Sequence, residues 1–175
     1  MGFWGSLVVV RSQTGLAGLP ALEIHVDDQD AEWRGGDWAV GQFGDADLDL
    51  SAVAALALQT GAPALAAQIY DSDNAVIRGV IPGHEGWETT LRPASMRSKL
   101  EFLGQDYDTL FPMSPDEATA AAVSWARAAG LSPEVHHVAR LFRAEDCVFV
   151  EELYFSLLEH LGLPNLIVLD PVDDE

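Results

Sequence analysis

The chain has 175 residues, of which 49% are hydrophobic, 21% charged and 9% aromatic, the composition of an ordinary folded domain and not of a disordered or fibrous chain. Against 9 Lys and Arg stand 28 Asp and Glu, a formal net charge of -19 and a pI near 4.3, so the surface is predominantly negative and the composition argues against a general nucleic-acid binder. At this length roughly 70% of the unfolded surface is buried on folding, enough for one core without disulfide or metal staples. One domain over residues 1–169 and a solvated acidic tail over 170–175 are expected.

Cys147 is the single cysteine, which excludes an internal disulfide and every multi-cysteine metal pattern. Its neighbours Val148, Phe149 and Val150 are apolar, so it reads as a small buried residue with an unreactive thiol. The first ten residues lack a basic region ahead of their apolar run, and no stretch approaches the ~20 apolar residues of a membrane span. A cytoplasmic protein without membrane attachment is therefore expected. Gly2 and Ser6 satisfy a loose lipidation pattern, but the apolar residues from 3 to 10 read more simply as a first strand.

Residues 7–10 are short, β-branched and apolar, which predicts a buried strand. Over 19–26 the aliphatics Leu22, Ile24 and Val26 alternate with Glu23 and His25, a period of two that predicts a half-buried strand. Gly35-Gly36, set between segments bearing Trp33 and Trp38, predicts a hairpin across which the two indoles could stack. After the acidic run 45–49, Ser51 opens an Ala- and Leu-rich helix over 52–59 closed by Gly61. Residues 64–70 and 75–81 flank the turn 71–74, a second hairpin whose polar turn residues bond their own backbone.

A break at 82–86, a short strand over 87–91 and a helix over 94–102 follow. Ser114, Pro115 and Glu117 have the spacing of an N-cap, an N1 proline and a capping box, which predicts a helix over 115–129 ended by Gly130. Further helices are expected over 132–142 and 144–161, the latter with Phe149, Leu153 and Leu157 four apart, and a last short strand over 166–169. A strand-rich first half and a helix-rich second half predict an α+β fold, a mainly antiparallel sheet with helices packed on one face.

No motif names a reaction, and none calls for a cofactor. Asp45, Asp47 and Asp49 alternate as in a calcium loop, but the sixth and twelfth positions are Leu50 and Leu56 in place of glycine and glutamate. The five histidines show no zinc spacing, and adjacent His136 and His137 diverge on a helix, so no metal site is expected. His84, Glu85 and Arg92, in and after the 82–86 loop, are the candidate catalytic set for a small-molecule enzyme: acid/base work by the first two, anion binding by the third.

Charge distribution is more informative. Between residues 21 and 50 nine acids face only Arg34. Such a surface steers association with a basic partner and repels acidic competitors. The leading expectation is a protein-binding module, of the inhibitor or immunity type, that occludes a basic protein. Asp27, Asp28, Asp30, Glu32 and Asp37 form its rim, with whichever of Trp33 and Trp38 is exposed as aromatic anchor. A nucleic-acid-mimicking inhibitor is a further alternative, since regularly spaced carboxylates can imitate phosphates.

Overall fold

Leu7, Val8, Val9 and Val10 follow one another without a polar break, and a strand of that kind is stable only where both of its faces are covered. In the computed structural model, which describes residues 2–169, that is where they lie. Strand β1 (Gly5–Arg11) is buried along almost its whole length. It runs antiparallel between β3 (Trp38–Gly44) and β4 (Ala64–Tyr70). The hairpin partners β2 (Gln29–Gly35) and β5 (Asn74–Val80) flank these, and β7 (Ile167–Leu169) and β6 (Trp87–Leu91) form the edges. The order β6-β5-β4-β1-β3-β2-β7 is antiparallel throughout. The fold is α+β. Met1 and the acidic tail 170–175 lie outside the described residues.

The C-terminal helices α4 (Pro115–Ala128), α5 (Val135–Leu141) and α6 (Val150–Leu161) pack together on one face, as expected. They close over Leu7, Val9, Trp38, Val40, Leu65 and Ile77 with Trp125, Tyr154 and Leu157. The opposite face is covered as well. There α1 (Leu50–Thr60), the loop residue Leu16 and Leu22 of the segment before β2 seal a second core over Val8, Val10, Ala66 and Val80. Farther along that face α2 (Pro93–Phe102) and the single turn α3 (Tyr107–Leu110) seat Met96, Leu100 and Tyr107 on Val76. The sheet is thus the middle of three layers, and the one-sided covering expected from the segregation of strands and helices holds only for α4–α6.

The segment expected as a strand over 19–26 is instead a 3₁₀ helix, Pro20–Asp28. Its backbone begins to coil before Pro20, with Leu19 and Leu22 N–H groups bonded to the carbonyls three residues back. Pro20 has no N–H to give a ladder, and both edges of β3 are already taken by β1 and β2. The cap of α1 is Asp49, whose carboxylate accepts from Ala52 N at 2.9 Å and from the Ser51 hydroxyl at 2.7 Å, so Ser51 supports the cap without being it. Helix α4 starts with the complete capping box read from Ser114 and Glu117. Residues 144–149 precede α6 and are not part of it.

The turn between β4 and β5 staples three parts of the chain. Asp71 and Ser72 both have positive φ, 54° and 55°, which turns their polar groups outward from the hairpin. Gly2 N donates to Asp71 Oδ1 and Phe3 N to the Ser72 hydroxyl, each at 2.7 Å, while Val150 N at the start of α6 donates to Ser72 O at 2.9 Å.

Candidate functional site

The acids of the first half do not form one continuous rim, because strand geometry sorts them. Along β2, Trp33 sits opposite Val40 and faces the α4–α6 layer, whereas Glu32 and Arg34 point to the other face. Trp33 is half-buried with its ring 5.1 Å from that of Phe155. Trp38 shares its face but is 2% exposed, 5.9 Å from Trp125, so the indoles pack on different helices and do not stack on each other. Trp38 cannot serve as an anchor for a partner. Glu32 accepts from the Arg34 guanidinium at 2.5 Å and from Gln29 at 3.1 Å. Asp37 is 3.1 Å from Arg11. These two acids are neutralised within the fold and drop out of the expected rim.

Asp27, Asp28 and Asp30 remain, all exposed, with Glu23 exposed just upstream. Asp28 faces only His25, at 3.9 Å, and no Lys or Arg pairs with Glu23, Asp27 or Asp30 among the described residues. A bulge between Gln29 and Ala31 swings Asp30 out of the ladder toward Gly44, bringing it beside Asp45 at the end of β3. Asp45 and Asp49 are likewise exposed. Asp49 is held below the ordinary carboxylate range by hydrogen bonds from Ser51 and Ala52, so it stays charged. Asp47 is bound to Arg78 at 3.1 Å.

The cause of this uncompensated charge lies elsewhere in the molecule. Of the 9 cationic side chains, Arg11, Arg34, Arg78, Arg92, Arg97 and Arg143 are each committed to a carboxylate within the fold. Lys99 lies over the Trp4 ring, 5.1 Å from its centroid. Little positive charge is left to meet the carboxylates from 23 to 49. Beside them opens a cleft of about 310 Å³ lined by Leu16, Leu19, Pro20, Leu22, Phe43 and the stem of Glu23. Sequence reasoning missed this cleft. Its one signal is the placing of Leu16 and Leu19 directly after Gly15 and Gly18, where a connection meets the segment expected as a strand.

The candidate catalytic set does not assemble. His84 and Glu85 are exposed in the loop before β6, while Arg92 follows the other end of that strand, whose five residues span about 16 Å at 3.3 Å per residue. Arg92 is occupied in structure: it caps the start of α2 from the left-handed region at φ 54° and bonds Asp73 and the Glu145 carbonyl. A larger cleft, about 590 Å³, opens between β6, α2 and the loop before α4. Most of its charged and polar side chains are engaged within the fold. Tyr107 shares a hydrogen bond of 2.5 Å with Thr90, and burial raises its phenol, while Arg97 is held bidentate by Asp108 at 2.8 and 3.0 Å. Cys147 is partly buried, which pushes its thiol up and keeps it protonated.

One cluster brings together residues that sequence spacing left apart. Glu134 and His137 at the start of α5 meet His160 from the last turn of α6, their donor atoms all within 4.8 Å of one another. His136, the neighbour in sequence, is not part of it. Among the described residues no helix is long and apolar enough to cross a membrane. Compared with protein-family models, with curated proteins and with solved structures, the chain matches none, so what it does is argued from its own residues.

Proposed function

We propose that this is a cytoplasmic protein-binding module that docks a basic protein on the acidic ridge running from the 3₁₀ helix to the end of β3, and acts by occluding it. The observation that carries the reading is the run of exposed carboxylates Glu23, Asp27, Asp28 and Asp30, with Asp45 at the end of β3 beside it, that no Lys or Arg of the described residues pairs with. Charges left exposed in this way cost little in water but attract an opposite surface over about 8 Å at physiological salt. The apolar cleft of about 310 Å³ next to the ridge replaces the tryptophans as the place where a partner side chain is buried. Its lining suits one aliphatic or aromatic side chain flanked by Lys or Arg.

The enzyme alternative lacks a site at His84, Glu85 and Arg92, which stand apart. The test is retention of cytoplasmic proteins by the tagged chain at low and moderate salt, repeated with the triple variant D27K/D28K/D30K. A basic protein held in near-stoichiometric amount by the original chain and lost with the variant is the expected result. Equal retention by the variant, or no basic protein retained at either salt, overturns the proposal.

A further inference from the structure

We propose that Glu134, His137 and His160 form a binding site for one divalent transition-metal ion of the zinc class, which clamps the start of α5 to the end of α6. Glu134 Oε2 is 2.8 Å from His137 Nδ1 and 3.4 Å from His160 Nδ1. In a tetrahedral site with bonds of ~2.0–2.1 Å the donors stand about 3.3 Å apart, so the His160 separation already fits, and the His137 separation fits once that contact lengthens by about half an ångström. The two imidazole rings are stacked, 4.6 Å between centroids and 9° from parallel, with both Nδ1 atoms beside the same carboxylate, so one ring must turn about its χ2 to bring both in-plane lone pairs onto a single ion.

The hydrogen bonds of the fold leave one atom of this arrangement unpaired. One carboxylate oxygen faces two ring nitrogens, and His160 Nδ1 is buried without a hydrogen-bond partner among the described residues. A buried nitrogen left unbonded loses its hydrogen bond to water and gains none in the fold. A cation bound to all three atoms would satisfy that nitrogen and leave a fourth position for water on the open side, since Glu134 and His137 are exposed. Two imidazoles and one carboxylate select a borderline ion such as Zn²⁺ over Mg²⁺ or Ca²⁺, which prefer all-oxygen sites.

The backbone holds the three residues in place before any ion arrives. Glu134 N donates to His160 O at 2.8 Å. Gly162, at φ 96°, lets the end of α6 approach so closely that a Cβ there would stand 3.0 Å from Ser132 N. The site lies in the α4–α6 layer, on the face of the sheet opposite the acidic ridge, so its test is independent of the binding proposal.

The experiment is titration of the chelator-treated full chain with Zn²⁺ against a chromophoric chelator, and with Co²⁺ for the visible absorption of nitrogen and oxygen coordination. One equivalent should bind. H137N and H160N should each weaken binding at least tenfold, H136N should leave it unchanged, and excess Mg²⁺ should not displace the ion. Circular dichroism without metal confirms that each variant is folded; if H160N is not, H137N and E134Q carry the comparison. Zn²⁺ affinity equal in the original chain, H137N and E134Q, or displacement by Mg²⁺ at comparable concentration, overturns the assignment and places the ion on surface carboxylates.

Discussion

Ser72 stands at φ 55° where glycine would be less strained, and the reason is its hydroxyl. That oxygen accepts from Phe3 N at 2.7 Å and donates to Glu151 Oε1 at 2.5 Å, joining the amino-terminal segment, the β4–β5 turn and the first turn of α6. Ser72→Ala removes both bonds and leaves a partly buried N–H and carboxylate without partners, a loss of about 1–3 kcal/mol. Urea unfolding followed by tryptophan fluorescence measures it, and an unchanged midpoint would show that water replaces the hydroxyl. The same scale explains why Trp38 is not the more exposed of the two tryptophans. Period-two patterning states which residues share a face of a strand, but Trp38 is buried because Trp125 of α4 lies over that face, and nothing local to residue 38 encodes α4.

Elements whose signals are local came out as read. Ser114 accepts from Glu117 N at 3.3 Å and Glu117 Oε2 accepts from Ser114 N at 2.8 Å, so four residues specify the start of α4 without help from the rest of the chain. Ser114→Ala is expected to lower stability by about 1 kcal/mol with the fold unchanged. A midpoint shift in thermal or urea unfolding checks it; a loss below about 0.3 kcal/mol would mean that α4 is held by packing alone. The 3₁₀ helix Pro20–Asp28 failed for the opposite reason. Alternation over a few residues is a weak signal, and a strand exists only if an edge is free to receive it, which is a property of the sheet and not of the segment. The hairpins at Gly35-Gly36 and 71–74 succeeded because each carries its partner strand alongside it in sequence.

At the scale of the whole molecule, the charge of -19 makes the folded chain repel itself. Raising NaCl from near zero to about 0.15 M, where the Debye length is about 8 Å, is therefore expected to raise Tm at neutral pH by a few degrees. A fall in Tm would mean that the internal Arg–carboxylate pairs outweigh the repulsion. Acid acts in two directions. Mild acidification relieves the repulsion, but Asp49, Asp108 and Glu117 are held below the ordinary carboxylate range by bonds to Ser51, Arg97 and Ser114 respectively. A carboxyl with a lowered folded-state pKa stabilises fully above its unfolded pKa and loses that contribution as pH falls through the folded value. Stability should thus pass through a maximum on the acid side of neutrality and decline below about pH 4, the unperturbed carboxylate region. Thermal unfolding across that range tests it, and a monotonic rise into acid would contradict it.

The sequence by itself determined the fold class, both hairpins, five of the six α-helices and the excess of acid between residues 21 and 50, because turn chemistry, capping, periodicity and charge act over a few neighbouring residues. It also held one unread clue: the unbroken aliphatic run of β1 and the apolar run of β4 signal a sheet covered on both sides. Only the tertiary structure decided which acids remain unpaired, since Arg11, Arg34 and Arg78 find Asp37, Glu32 and Asp47 by folding. It alone set Glu134 and His137 against His160, more than twenty residues on in the chain, and separated His84 from Arg92 by the length of a strand. The common reason is distance: pairing, burial and ligand geometry depend on residues that meet only when separate elements pack, and no single segment encodes its neighbours in space.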